Sequence, residues 1–168
     1  MERFDLIIIG GGAGGFAAAT RASELGAKAV IINSGLPLGG TCVNVGCVPS
    51  KLLLEIGSEY YYPQHIRFKA AEPVKCGHPG PLDFQAAIGE KDSIVSALRE
   101  SNYARVAEGL GITVIEGRAR FVSLHQIEVN GQNLEADKFI IATGSRPRIL
   151  PFKGIDKVHY TTSPTGRH

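Results

Sequence analysis

The chain has 168 residues, with 18 Lys+Arg against 16 Asp+Glu for a formal charge of +2, 43% hydrophobic and 20% charged residues. That describes one ordinary globular domain with enough chain to bury a core. The near balance of charge argues against a basic nucleic-acid or membrane-surface binder, and no apolar run approaches the ~20 residues of a membrane span.

Glycine is the outlier: 21 residues, ten of them before position 47, so a backbone role is concentrated near the start. Met1-Glu2-Arg3-Phe4-Asp5 carries no targeting signature and Leu6 to Ile9 is too short for a signal-peptide core, so a cytoplasmic location is expected. Three cysteines, Cys42, Cys47 and Cys76, are too few for a disulfide scaffold. In a reducing compartment a bridge between them would be redox-active rather than structural.

In chain order, Leu6-Ile7-Ile8-Ile9 is a short apolar run ending at Gly10 and predicts a strand buried on both faces. Gly14 to Leu25 predicts a helix of small residues closed by Gly26, and Ala29-Val30-Ile31-Ile32 a second buried strand. Strand, glycine turn, helix and strand within about 30 residues make a βαβ unit with parallel strands and a right-handed crossover. A loop over 34–41 leads into a helix carrying Lys51 to Tyr60. Residues 70–83 hold Pro73, Gly77, Pro79, Gly80 and Pro81 and predict a surface excursion. Asp83 is the expected N-cap of a long helix running to about Gly109. The remainder is mostly strand: Ile112–Ile115, Ala119–Val122 and Gln126–Val129, a hairpin turn at Asn130-Gly131, and an apolar strand from Lys138 to Ala142. The expected fold class is α/β, a doubly wound sheet of Rossmann type with a small antiparallel β-element.

Gly10-Gly11-Gly12-Ala13-Gly14-Gly15 contains G-x-G-x-x-G between a buried strand and a helix, the context that gives the motif meaning. Gly10 permits the tight turn, Gly12 lets the backbone approach a pyrophosphate, and Gly15 lets helix and strand pack closely. The helix N-terminus presents free N–H groups to the phosphates. The same rule expects an acidic residue at the end of the second strand for the ribose hydroxyls. Asn33 stands there, an acceptor without charge, so Asn33→Glu is expected to tighten cofactor binding by about 1 kcal/mol.

Cys42 and Cys47 are five apart. In a regular helix that spacing means ~7.5 Å of rise, beyond easy disulfide reach, so a bridge needs a distorted first turn, which Gly46 permits. A helix N-terminus would also lower a thiolate pKa. Two separately buried cysteines are the alternative reading of the spacing alone.

Gly39-Gly40-Thr41-Cys42-Val43-Asn44-Val45-Gly46-Cys47-Val48-Pro49-Ser50-Lys51 resembles, nearly letter for letter, the redox-disulfide signature of the class I pyridine nucleotide–disulfide oxidoreductases, which include dihydrolipoamide dehydrogenase, glutathione reductase and mercuric reductase. Val43, Val48 and Ser50-Lys51 look most like the mercuric reductases. The resemblance implies FAD, not NAD, at the N-terminal motif, with Gly10, Gly12, Ala13, Gly14 and Gly15 at its pyrophosphate and Asn33 at the adenosine ribose. It implies Gly40, Thr41 and Lys51 along the flavin, Cys47 as the thiol in charge-transfer contact and Cys42 as the interchange thiol. Ala119 matches a main-chain contact to adenine, and Ala142-Thr143-Gly144 a second FAD-contact segment. The implied reaction passes electrons from NAD(P)H through FAD to the cysteine pair and on to a disulfide or to Hg(II), which two soft thiolates would hold. No structural metal is expected.

The family architecture of FAD, NAD(P)H and dimer-interface domains needs roughly 400 residues or more. Residues 1–150 are therefore expected to be the N-terminal portion of the FAD domain, and 151–168 the start of a connection to an NAD(P)H domain not in this sequence. The resemblance is still visible at Thr161-Thr162-Ser163 and fades from Pro164 to His168. No second G-x-G-x-x-G follows, nor the family's C-terminal His–Glu pair or the C-terminal cysteines of mercuric reductases. The expectation is a front part of a larger enzyme, acting as a homodimer or with a complementing C-terminal chain, or else a non-catalytic FAD-binding fragment. A thiol-based metal binder without flavin is a weaker third reading.

Cys76-Gly77-His78 is too few ligands for a metal site, and His65, His125 and His159 show no partner pattern. Tyr60-Tyr61-Tyr62 reads as packing. Arg146 and Arg148 are either phosphate contacts or solvated.

Overall fold

The computed structural model describes residues 2–65 and 80–162. Cys76-Gly77-His78, most of the 70–83 excursion and the tail from Ser163 lie outside the described residues. The strands are β1 (Glu2–Ile9), β2 (Ala29–Asn33), β3 (Thr113–Glu116), β4 (Arg120–Phe121), β5 (Gln126–Val129) and β6 (Gln132–Ile141). The helices are α1 (Ala13–Glu24), α2 (Gly40–Val45), α3 (Cys47–Tyr61), α4 (Phe84–Arg99) and α5 (Arg105–Gly109). The strands form one sheet in the order β3-β2-β1-β6-β5-β4. Its first four members run parallel and the β6-β5-β4 arm is antiparallel. This is an α/β, Rossmann-like fold in which the antiparallel arm continues the same sheet.

Strand periodicity divides the core into two layers. Ile8 and Ile31 point to the helical side, where Phe16 and Ala19 of α1 and Ala107 and Ile112 near α5 cover them. Ile7, Val30 and Ile32 point the other way and pack with Ile127, Val129, Leu134 and Ala136 of the antiparallel arm. Ile7, Ile8, Ile31 and Ile32 are all within 1% of complete burial, and each such side chain stabilises the fold by about 1.5–3 kcal/mol. The apolar runs of β1 and β2 are continuous rather than alternating because both faces of these central strands are covered.

Two elements differ from the sequence reading. The hairpin return and the apolar strand at 138–142 are one strand: β6 pairs antiparallel with β5 through Gln132–Glu135 and parallel with β1 through Leu134–Ile141. Glu135, Asp137 and Lys138 interrupt the apolar pattern on the exposed side, where Asp137 Oδ1 accepts from Arg3 Nη2 at 2.7 Å, and so mask the continuity. The helix begun at Asp83, whose Oδ1 accepts from the Ala86 N–H at 3.0 Å, does reach Gly109. It contains a wide π turn over Glu100–Ala104 between α4 and α5. That turn sets Tyr103 edge-on to Phe16, with ring centroids 4.9 Å apart. Among the described residues no helix is long and apolar enough to cross a membrane.

Candidate functional site

The carboxyl ends of the parallel strands, the usual place for ligands in open α/β sheets, open onto a cleft of about 1260 Å³. Three glycine-rich segments meet there. Gly15 closes the turn from beneath: a Cβ on it would stand 1.9 Å from the Gly10 carbonyl oxygen, so α1 crosses β1 at backbone contact. The first turn of α1 has no side-chain cap and no acidic residue, which leaves its N–H groups facing the cleft. Gly40 has φ +59°, and a Cβ there would lie 2.7 Å from the Gly12 Cα. The Gly39 N–H donates to the Gly11 carbonyl at 2.9 Å. The glycine turn and the cysteine-bearing segment therefore touch main chain to main chain. The third segment, Ala142-Thr143-Gly144, follows β6 and abuts the turn, a Cβ on Gly10 standing 2.2 Å from the Ala142 carbonyl oxygen.

Of the residues expected at the cofactor, Gly10, Gly12, Ala13, Gly14, Asn33, Gly40, Thr41, Cys42, Ala142, Thr143 and Gly144 line this cleft. Gly15 supports the turn from below. Cys47 is exposed and lies outside the cleft wall, as does Lys51, one turn further along α3 and on the same face. Ala119 packs against the core beside β4 and is not on the wall. Several lining residues carried no earlier expectation, Gly11, Ser34, Gly35, Leu36 and Gly39 among them. Arg146, His159 and Tyr160 line it too, whereas Arg148 does not. Their segment follows β6 with no periodicity to place it, so nothing in the sequence pointed to His159. Tyr61 stacks on His65 with centroids 3.8 Å apart and does not line the cleft, but Tyr61 and Tyr62 are exposed rather than packed.

The cysteines sit where the helix breaks. Gly46 separates α2 from α3, and a Cβ on it would be 2.9 Å from the Thr41 carbonyl oxygen and 3.3 Å from the Cys42 Cα. This is the distorted turn that the five-residue spacing requires. Both thiols are free and flank the break, Cys42 partly buried and Cys47 exposed. The helix-dipole expectation fails at Cys42: its thiol pKa is raised, first by the hydrogen bond with Cys47 and second by burial. A six-residue helix contributes too little to outweigh them.

Asn44, between the cysteines, is buried. Its Nδ2 donates to the carbonyls of Pro37 at 2.9 Å, Leu38 at 3.2 Å and Gly40 at 2.9 Å, and its Oδ1 accepts from Arg99 Nη1 of α4 at 3.1 Å. Tyr103 backs the same segment, 3.1 Å from where a Gly39 Cβ would be. One helix therefore holds the cysteine-bearing loop from behind at two points.

Asn33 lines the cleft but is held by the protein's own groups. It is 4% exposed, its Oδ1 accepts from the Gly11 N–H at 3.2 Å, and its Nδ2 donates to the Leu36 carbonyl at 3.0 Å and to the Glu116 carboxylate at 3.1 Å. A glutamate at 33 would set two carboxylates side by side, so the expected gain from Asn33→Glu is withdrawn.

Among the described residues, Arg146 is the one Lys, Arg, Asp or Glu on the wall. Free helix N–H groups, glycines without Cβ at the turn and an arginine suit a pyrophosphate. The volume exceeds the usual small-molecule range of about 300–1,000 Å³ and suits a dinucleotide. The residues fit an FAD-sized group. Among the described residues, no group of three or more His, Cys, Asp or Glu is placed to hold a metal ion.

The profile of a family described as Pyridine nucleotide-disulphide oxidoreductase matches residues 4–166. A mercuric reductase from Lysinibacillus sphaericus is 40% identical over 164 residues, covering 98% of this chain and 29% of that protein. A mitochondrial dihydrolipoyl dehydrogenase from Pisum sativum is 39% identical over 168 residues, with 95% and 32% covered. Among solved structures, the Cu(II) complex of the HOCl-induced flavoprotein disulfide reductase RclA from Escherichia coli superposes with a TM-score of 0.69 at 28% identity, over 90% of this chain and 30% of that one. The chain spans about a third of the length of the curated relatives it matches.

Proposed function

Because this chain belongs to the pyridine nucleotide-disulphide oxidoreductase family, we propose that it is the FAD-binding, sulfur-bearing part of an enzyme that moves two electrons from NAD(P)H to the Cys42/Cys47 pair. Mercuric ion is the terminal acceptor assigned here, supported by the relatives at 36–41% identity that are mercuric reductases. The second reading is the dihydrolipoamide–lipoamide couple, whose oxidised form is the disulfide, or another disulfide, supported by the dihydrolipoyl dehydrogenases at 36–39%. The observation that carries the proposal is the pair of free thiols at the break between α2 and α3, beside a glycine-walled cleft that no carboxylate lines among the described residues.

The flavin, when bound, supplies a two-electron carrier between nicotinamide and sulfur. The chain's own residues divide the remaining work. Gly12, Ala13 and Gly14 offer main-chain donors to the pyrophosphate, with Arg146 as counter-charge. Two electrons and two protons convert the Cys42–Cys47 bridge to two thiols. With a disulfide substrate, the Cys42 thiolate attacks one sulfur and expels the first thiol. Cys47 then attacks the Cys42 sulfur, expels the second and restores the bridge. With Hg(II), the two thiolates are soft ligands that would hold the ion while two further electrons from NAD(P)H, which the flavin would carry, reduce it to Hg(0). Cys42 as the outer thiol, Cys47 and Lys51 as the flavin-side pair and Ala119 as an adenine contact follow the family pattern. In the structure it is Cys42 and not Cys47 that lines the cleft, so the division of roles between the two sulfurs is carried by the family pattern alone.

In this reading residues 1–150 serve as FAD-binding domain and 151–168 as the beginning of a connector. The nicotinamide site, the substrate-selecting residues and the contacts of a homodimer or complementing chain then belong to the rest of the architecture. The test is the absorption spectrum of the purified chain after incubation with FAD and gel filtration. Retained flavin in near 1:1 ratio is expected, and Cys42→Ser is expected to add a long-wavelength thiolate–flavin band from Cys47. Loss of all flavin on the column would overturn the proposal, and a band in Cys47→Ser instead would reverse the two sulfur roles.

A further inference from the structure

We infer that Glu116, on the edge strand β3, acts through Asn33 as a positioning residue for the adenosine ribose, lending a neutral amide the charge that the end of β2 lacks. The inference rests on the FAD reading above.

The register pairs Asn33 with Glu116 across β2 and β3. An asparagine amide can flip, and its orientation is decided by its neighbours. Here they agree. Nδ2 lies between two acceptors, the Leu36 carbonyl and the Glu116 carboxylate at 3.1 and 3.2 Å to its two oxygens, while Oδ1 lies on a donor, the Gly11 N–H. Both amide hydrogens are therefore used within the protein, and the atom left with bonding capacity is Oδ1. Asn33 lines the cleft whereas Glu116 does not. The bonding capacity that Asn33 keeps is therefore that of an acceptor, the complement of a ribose hydroxyl.

The carboxylate does more than fix the orientation. A hydrogen bond from Nδ2 to an anion draws electron density through the amide toward Oδ1, and bonds in such a chain strengthen one another. Glu116 is solvent-exposed, so its charge is held without a large desolvation cost. No acid on β2 is then required, and a second one would be repelled.

The test is calorimetric titration of the flavin-free chain with three probes: FAD and ADP, which carry the adenosine ribose, and FMN, which does not. Glu116→Ala is expected to weaken FAD and ADP alike by about five- to tenfold, and Glu116→Gln, which keeps an acceptor without the charge, by about two- to threefold. FMN affinity should not change, and circular dichroism should show the fold of both variants intact. Wild-type-like FAD and ADP binding by Glu116→Ala overturns the inference while leaving the FAD reading in place. So does equal weakening of FMN, which marks a general loosening of the cleft. Failure of the wild-type chain to bind FAD overturns both.

Discussion

At the scale of single residues, the chemistry of the site turns on Cys42, whose thiol holds its proton more tightly than an ordinary cysteine because Cys47 bonds to it and burial adds in the same direction. A raised pKa in the folded state means that the contribution to stability is complete below the unfolded thiol's pKa. It is lost as pH rises through the folded value. In reduced protein, the pH midpoint for alkylation of Cys42, followed by mass spectrometry, is expected above that of an unstructured cysteine peptide measured alongside. Cys47→Ala should move it down, and a wild-type midpoint at or below the peptide's contradicts the account. The sequence showed the two cysteines and the reason for Gly46 between them. It did not show the direction of the Cys42 shift, which depends on how closely the sulfurs face each other. Nor did it show the partner of Asn33, since Glu116 is 83 positions away and only strand register brings it near.

At the scale of elements, the readable parts were those with a local signature: the apolar runs of β1 and β2, the glycine turn into α1, the Asp83 cap and the Asn130-Gly131 hairpin. The π turn before α5 has no such signature, because its cause is tertiary, Tyr103 wedged against Phe16 and Gly39. The same helix reaches Asn44 through Arg99, so the separation of the cysteines is governed by α4 as well as by the break at Gly46. Gly46→Ala tests the break. Its methyl must displace the Thr41 carbonyl or the Cys42 Cα, prising α2 from α3. A cost of about 1–3 kcal/mol in urea unfolding is expected, together with a tenfold or greater slowing of bridge formation in a glutathione redox buffer. Wild-type kinetics of bridge formation would show that the two helices separate without moving the sulfurs.

At the scale of the whole molecule, the described part holds a complete two-layer core yet leaves apolar side chains open at the end of β6 and in the segment after it. Ile141 is 68% and Phe152 64% exposed, with Leu150 and Val158 also exposed. Side chains of this kind on one end of a sheet mark an interaction surface. The chain alone is expected to self-associate with increasing concentration in sedimentation velocity, and the double substitution Ile141→Lys with Phe152→Lys to shift it to monomer. A concentration-independent monomer in the wild type would exclude a sticky face there. The fold class was legible from the first 33 residues, since a βαβ unit admits few completions. The site was legible in part, because its third wall comes from residues beyond 141 that have no periodic pattern.

The double life of β6 sets the order in which the fold can assemble. Its antiparallel partner β5 is one tight turn away, so that hairpin zips within about 1–10 μs of the segment being free. Its parallel partner is remote: Arg3 and Asp137 are 134 positions apart, and closing so long a loop is the entropically costly step. On a ribosome adding about 5–20 residues per second, β1 waits roughly 7–27 s for β6. During that interval the strand destined for the middle of the sheet is an edge, with Ile7 and Ile9 uncovered by their later neighbours. A nascent chain of this sequence is therefore most exposed to wrong strand pairing just before its final parallel strand emerges.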